Sequence, residues 1–299
     1  MSRFMWSMAL AIALAAPSAL FAQQDVETSK IETQRSATPE EVAQDPNTGG
    51  LTLTGGVDYT TAYFFRGYNQ EDTGLILQPY VTITASLVSN DDFTLNAYVG
   101  TWNSFHERKT LNQGSNSSWY ESDLFGGIDL VLGNFTIGTV YTFYTYPNGA
   151  FETIGEVGFK AAYDDTDLMK RMGINFAFKP YAAVYIETSD GNGSEDTYAE
   201  LGLAPSFALG ETVTLSVPMT LGLSLDDYYF DDDGDNETLG YATVGLFASI
   251  PLPMGERFGE WTLTGGVQYI YLFADSAEAA NDGGKNDEIL GKVGISFAY

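Results

Sequence analysis

After Gly50, apolar and polar residues alternate one by one through most of the chain. A strand sends successive side chains to opposite faces, so this period of two predicts strands with one apolar wall and one polar wall. In the final segment Ile289, Val293, Ile295, Phe297 and Tyr299 share one face, while Glu288, Lys292, Gly294, Ser296 and Ala298 share the other. The stripes Leu75, Leu77, Val81, Ile83, Leu87 and Val213, Leu215, Val217, Met219, Leu221, Leu223 repeat the pattern. Twelve strands are predicted, at about 51–65, 73–88, 93–105, 119–132, 134–146, 150–164, 172–187, 197–209, 211–224, 238–250, 260–273 and 287–299.

The connections alternate in length. Those at 66–72, 106–118, 147–149, 188–196, 225–237 and 274–286 are mostly long and polar, whereas those at 89–92, 133, 165–171, 210 and 251–259 are mostly shorter. An even strand count with short turns at one end and long loops at the other predicts an all-β fold, a transmembrane antiparallel up-and-down β-barrel over residues 49–299. Tyr63, Phe64, Phe65, Trp119, Tyr144, Tyr146, Tyr228, Tyr229 and Phe230 are expected in an outer aromatic girdle. Phe93, Phe135, Tyr163, Phe207, Phe258, Trp261 and Tyr299 are expected in an inner one.

Arg3, the apolar run Met8 to Ala16 and the small residue Ala22 read as a signal peptide over residues 1–22. Residues 23–48 hold no periodicity and read as a flexible periplasmic leader, with a plug or a partner-binding arm as the alternative. No other segment is apolar for 18 residues or more, so no transmembrane helix is expected. Cysteine is absent, which excludes disulfides and thiol chemistry. A net charge of -27 argues against nucleic acid as a partner and against a lumen built for anions. A mean hydropathy of -0.09 suits a barrel, in which only alternate residues meet lipid.

Three motifs in order carry a family resemblance. Residues 58–70 read Asp-Tyr-Thr-Thr-Ala-Tyr-Phe-Phe-Arg-Gly-Tyr-Asn-Gln, residues 97–104 read Ala-Tyr-Val-Gly-Thr-Trp-Asn-Ser, and residues 120–127 read Tyr-Glu-Ser-Asp-Leu-Phe-Gly-Gly. The region 51–130 resembles the TorF-like porin family, a group of conserved hypothetical outer-membrane β-barrel proteins. The resemblance implies an outer-membrane pore without naming a solute. The acidic loop near Asp231 departs from the family pattern.

With the apolar stripes facing lipid, the opposite positions line a lumen. Its expected charges are Asp58, Arg66, Glu121, Asp123, Asp129, Glu152, Glu156, Lys160, Lys179, Glu187, Glu200, Glu288 and Lys292, nine acids and four bases. Glu121, Asp123, Glu152, Glu187, Glu200 and Glu288 are expected to form an outer acidic vestibule, with Asp58, Glu156, Lys160, Lys179 and Lys292 near mid-barrel. Asp58 and Lys292 stand at matching heights on the first and last strands and are expected to meet across the closing seam. Tyr80, Tyr98, Trp102, Tyr181, Tyr185 and Tyr198 also point inward, either to hold sugars, nucleosides or cationic amines or to fill space.

Rings of carboxylates favour cations. The expectation is therefore a porin or channel for small polar solutes or cations, in the outer membrane, with no cofactor and no metal. A closed structural or surface-interaction barrel without conductance is the alternative. The acidic loop 226–237 fails the spacing of a calcium-binding EF-hand loop. A hydrolase built on His106, with Ser104 or Ser117, is disfavoured, because Ser104 and His106 are expected to be poorly aimed at each other. Expected partners are outer-membrane lipid and lipopolysaccharide, the barrel-assembly machinery through the last strand, and small polar solutes. A monomer is expected, since a closed barrel leaves no edge.

Overall fold

The computed structural model describes residues 50–299 apart from Lys109, residues 111–116, Asn175, residues 190–195 and Glu211. The expected signal peptide (1–22) and leader (23–48) lie outside the described residues, as do parts of the loops expected at 106–118 and 188–196. Among the described residues sixteen strands run in chain order: β1 (Leu51–Thr60), β2 (Tyr63–Phe65), β3 (Tyr68–Glu71), β4 (Ile76–Ser89), β5 (Thr94–His106), β6 (Trp119–Leu132), β7 (Phe135–Thr145), β8 (Ile154–Tyr163), β9 (Tyr181–Ser189), β10 (Thr197–Leu203), β11 (Ser206–Leu209), β12 (Val213–Ser216), β13 (Met219–Asp226), β14 (Leu239–Leu252), β15 (Glu260–Leu272) and β16 (Asp287–Ala298). Helices α1 (Thr166–Arg171) and α2 (Asp275–Ala280) lie in connections.

Fourteen of these strands form one sheet, and it closes on itself. Around the ring the order is β1, β4, β5, β6, β7, β8, β9, β10, β13, β14, β15, β16 and back to β1, every neighbour antiparallel. β11 and β12 continue β10 and β13, so the ring has twelve staves. The breaks fall at Pro205 and Pro218, where the missing N–H removes a ladder bond. The seam is joined by the pairing of β1 with β16, with Leu53 and Tyr299 exchanging both backbone bonds at 2.8 Å.

One expected strand is much shorter than the alternation suggested. Residues 172–180 are a connection, and β9 begins at Tyr181. Gly173 and Lys179 have positive φ, Pro180 cannot donate, and the Asp165 carboxylate accepts the N–H groups of Phe178 (3.1 Å) and Lys179 (2.8 Å). Phe176 and Phe178 keep the apolar alternation but point out at the rim.

The outward face is apolar along the full barrel. Val57, Ile83, Val99, Leu124, Ile128, Ile137, Phe159, Leu201, Leu246, Val267 and Val293 are all exposed. A soluble protein does not present a continuous apolar belt of this kind, whereas a barrel standing in lipid requires one. The inner girdle includes exposed Phe135, Phe207, Phe258 and Tyr299.

The expected outer girdle is mostly absent. Of its members Trp119 is exposed, but Tyr63, Phe65, Tyr144, Tyr146, Tyr228 and Tyr229 are buried inside the barrel. They point inward because they have something to pack on there: the inserted hairpin described below.

Halfway down, tyrosines lie flat across glycines of the neighbouring strand. Tyr80 covers Gly56, Tyr98 covers Gly127, Tyr185 covers Gly158, Tyr181 covers Gly202 and Tyr241 covers Gly222. A Cβ at these glycines would overlap the ring. Gly202→Val is therefore expected to destabilise the barrel by about 1–3 kcal/mol through overpacking. Unfolding in urea, followed by the loss of the heat-modifiable band on cold gel electrophoresis, measures it; an unchanged midpoint would refute the packing account.

Candidate functional site

The connection between β1 and β4 does not stand out as a loop. It turns back into the barrel as the hairpin β2–β3, paired from Phe65↔Tyr68 at the tip to Tyr63↔Glu71 at the base. A two-residue loop with φ of 44° at Arg66 and 88° at Gly67 is a type I′ turn, whose twist suits a tight hairpin. Gly67 meets this need without strain, and a Cβ there would crowd the Tyr241 side chain of β14. Arg66 does not: a left-handed conformation costs a non-glycine residue roughly 1–2 kcal/mol. The surroundings of its side chain offset that cost.

The Arg66 side chain is 0% exposed and crosses the lumen. Its Nη1 donates to Glu156 Oε2 at 2.7 Å and its Nη2 to Glu156 Oε1 at 2.9 Å, a bidentate pair. Tyr144 also donates to Glu156 Oε1, at 2.8 Å. The guanidinium carbon lies 4.2 Å from the ring centre of Tyr198, 4.5 Å from Tyr185, 4.7 Å from Phe65 and 5.5 Å from Tyr228. Desolvated cation–π contacts of this kind are worth up to about 2 kcal/mol each. Glu156 and Tyr185 belong to β8 and β9, and β9 stands six staves round the ring from β1. The hairpin thus spans the barrel from wall to opposite wall.

Two other outer loops hold it there. Tyr229 donates to the carbonyl of Arg66 at 2.7 Å, and Tyr68 donates to the carbonyl of Tyr228 at 3.0 Å. The Tyr68 and Tyr229 rings stack with centres 5.7 Å apart. Ser276, on α2, bonds the Tyr68 hydroxyl at 3.1 Å, and Asn69 donates to Asn281 at 3.1 Å. The acidic loop 226–237 is therefore tied to the hairpin through its aromatic residues, while its carboxylates stay outside.

The expected acidic vestibule is not open. Glu121, Asp123, Glu187 and Glu200 point inward as the alternation required, but each is at most 3% exposed, because the hairpin and its aromatic neighbours cover them. Glu121 accepts from Tyr63 at 2.9 Å and Glu200 from Tyr198 at 2.9 Å. Neither oxygen of Asp123 has a hydrogen-bond partner among the described residues. Glu187 sits directly across from Glu156 in the β8–β9 register.

Three sequence-predicted site residues stand elsewhere. Arg66 is not on a strand wall but at the hairpin tip, since β1 ends at Thr60. Glu152 is exposed in the loop before β8, which starts only at Ile154. Lys179 lies in the connection ahead of β9, outside the mid-barrel. Asp58 and Lys292 do meet across the seam, at 2.6 Å, although the register sets Asp58 opposite Gly294 and Lys292 reaches along the strand to it. Lys160 points inward and lies 4.6 Å from the ring centre of Tyr181. Glu288 is half-buried near the outer end of β16, and Trp102 packs on Tyr63 with centres 5.4 Å apart.

Ser104 and His106 are also placed differently from the expectation. Both side chains point into the lumen by alternation beside a bulge that leaves Tyr120 unpaired on β6, and the Ser104 hydroxyl lies 2.8 Å from His106 Nε2. His106 Nδ1 is 2.5 Å from the Thr110 hydroxyl, which donates to Glu71 Oε2 at 2.7 Å. A hydroxyl has one proton to give, so Nδ1–H donates to Thr110 and Nε2 accepts from Ser104 in the neutral ring. The chain of bonds ends on the hairpin and acts as its latch. Ser104 and His106 are 0% and 1% exposed, with Tyr120 stacked on the imidazole. Partial burial raises the Glu71 carboxyl, but the Thr110 and Thr73 hydrogen bonds outweigh it and hold it below its ordinary value of 4.5. This contribution is complete above that value and is lost as pH falls below it.

Below the tyrosine layer the lumen changes character. Thr54, Thr84, Asn96, Asp129, Thr136, Thr264 and Ser296 point inward and are only half-buried. The inner half is a polar vestibule reached by solvent, and the outer half is packed. Sequence reasoning missed the residues that fill it, Tyr63, Phe65, Tyr68, Tyr228 and Tyr229. The available signal was Phe65-Arg66-Gly67-Tyr68, a two-residue turn between aromatic strands.

A family model described as "Bacterial protein of unknown function (Gcw_chp)" matches residues 43–244. No curated protein matches the chain. Among solved structures, it is similar to the COG4313 outer membrane channel from Pseudomonas putida F1, at 11% identity and a TM-score of 0.48, covering 88% of this chain and 100% of that one. It is similar to the NanC porin at 13% identity and a TM-score of 0.41, covering 83% and 98%. It is also similar to the KdgM porin solved in complex with disordered oligogalacturonate, at 8% identity and a TM-score of 0.40, covering 83% and 99%.

Removing one partner of a buried ion pair costs about 3–5 kcal/mol. Arg66→Ala and Glu156→Gln are each expected to destabilise the barrel on that scale, and the double variant by clearly less than their sum. Urea unfolding of the four proteins tests this, and strict additivity would remove the pair as the anchor of the hairpin. His106→Ala is expected to raise protease cleavage within the β2–β3 hairpin and to leave surface phospholipase and protease activity unchanged. Hydrolysis by the parent that the variant lacks would reinstate the enzyme.

Proposed function

This chain belongs to the Gcw_chp family of bacterial proteins of unknown function, and from its own geometry we propose that it is an outer-membrane channel for small polar or cationic solutes, closed on its outer side by the β2–β3 hairpin. The observation that carries this reading is the division of the lumen. A polar inner vestibule leads up to one short hairpin, and that hairpin is held by the Arg66–Glu156 pair, by the loop contacts of Tyr68 and Tyr229, and by the wall contacts of Tyr63 and Glu71. A barrel meant only as a wall needs no such vestibule, because its interior can be filled from the strands themselves.

The three motifs that resemble the TorF-like porins lie within the matched residues 43–244 and support the porin reading. The apolar belt supports residence in the outer membrane, with export through the signal peptide at 1–22 and lipid and lipopolysaccharide against the barrel. Assembly through the last strand and a monomeric state complete the proposal. The burial of Ser104 and His106 supports a non-enzymatic role. The packed outer half favours one second reading, a barrel that does not conduct.

Planar-bilayer recording separates the two. The parent protein is expected to give rare, small openings, and a variant with residues 63–71 replaced by a short Gly-Ser linker is expected to conduct steadily. Under a KCl gradient its reversal potential should favour K⁺, given the surplus of inward carboxylates. A silent linker variant that is folded by gel shift would establish the non-conducting barrel, and a preference for Cl⁻ would overturn the cation assignment.

A further inference from the structure

The surroundings of Arg66 are built like a receptor. Glu156 offers a planar, bidentate carboxylate, and Tyr144 orients it. Tyr185 and Tyr198 rise from the wall beside it and Tyr228 closes from the loop above, with ring centres between 4.2 and 5.5 Å from the guanidinium carbon. The buried carboxyl groups of Glu187 and Glu200 stand on the strands that carry these rings. Among the described residues Arg66 is the one buried cation in this half of the lumen, and it arrives on a segment that is not part of the barrel wall.

We propose that this cage is a binding site for guanidinium-bearing solutes, and that Arg66 is a tethered occupant which such a solute replaces. The proposal deepens the channel reading and rests on it, in that the cage is vacated when the hairpin withdraws.

The chemistry is specific. A planar fork of N–H donors matches a carboxylate in two parallel bonds, and a flat, weakly hydrated cation stacks on aromatic faces. A compact ammonium makes only point contacts with the same carboxylate and is more costly to strip of water. A solute with a guanidinium head therefore satisfies the cage, and an alkylammonium of equal charge satisfies it less well. The Arg66 turn favours exchange: its backbone is held in a left-handed conformation by the contacts of the side chain, so a competitor for the cage also releases that strain. The cage also lies between the outer loops and the polar inner vestibule, on the line a solute crossing the barrel follows.

Chemical rescue tests the site without requiring conductance. The Arg66→Ala protein is purified and its thermal unfolding followed against ethylguanidinium at millimolar concentration. Tm is expected to rise saturably, by about 3–5 °C at ten times the Kd. Ethylammonium should do clearly less, and neither the parent protein nor Arg66→Ala with Glu156→Gln should respond. If Arg66→Ala does not fold unaided, the folded fraction recovered on refolding with ethylguanidinium is the readout, with the same order of effects.

No rescue, or equal rescue by ethylammonium or in the double variant, overturns the site. In the linker variant, ethylguanidinium should also block the K⁺ current, and Glu156→Gln should abolish the block. Rescue in a barrel that does not conduct upholds the site and removes the channel. A current without rescue upholds the channel and removes the site.

Discussion

The pair between Arg66 and Glu156 is what allows the outer half of this barrel to be filled. The alternation that puts apolar residues toward lipid puts carboxylates inside, and two of them, Glu156 and Glu187, face each other on adjacent strands. Like charges opposed in a sheet repel, and burial adds the cost of lost hydration. One guanidinium delivered from across the lumen relieves both effects. It neutralises Glu156, saturates both its oxygens and presents a flat cation to rings that would otherwise pack against one another. The hairpin tip, Phe65, Tyr144 and Tyr228 all gather round that contact.

The wall of the barrel was legible because its rule is local. Each strand must show one face to lipid and one to the interior, and its backbone must find partners on both sides. Alternation and turn residues encode this directly, so Trp119–Leu132 ends where the pattern ends. The failures fall where a backbone feature overrides the side-chain pattern. Pro180 and the Asp165 carboxylate stop a segment whose phenylalanines still alternate, and Pro205 and Pro218 divide strands that continue in space.

The site was legible only in part, because lining and filling look alike in sequence. An inward Glu121 is the same letter whether it meets water or the Tyr63 hydroxyl. What decides is a segment 58 residues away in the chain, and alternation carries no information about it. Ser104 and His106 show the same limit at short range. Two residues on one strand face are parallel in an ideal strand, yet Ser104 and His106 lie within a hydrogen bond, with Tyr120 of the neighbouring strand stacked on the imidazole. The seam was readable for the opposite reason: strand ends count residues, so Asp58 and Lys292 could be matched to within two positions, a gap the lysine side chain spans.

That seam has a consequence for how the chain reaches its native state. Every other junction in the wall joins strands close together in sequence, but β1 and β16 join residues such as Asp58 and Gly294 from opposite ends. The entropy of closing a loop grows only slowly with its length, yet none of it is recovered until the last strand pairs with the first. Folding of such a topology is limited by its most distant contact. Until then both edges present open backbone groups, and the curled sheet is a template for pairing with other chains. Asp58 and Lys292 carry opposite charges to those two edges, one on each. In the closed barrel their ion pair binds the two edges side chain to side chain as well as backbone to backbone, and so marks the register in which the wall closes.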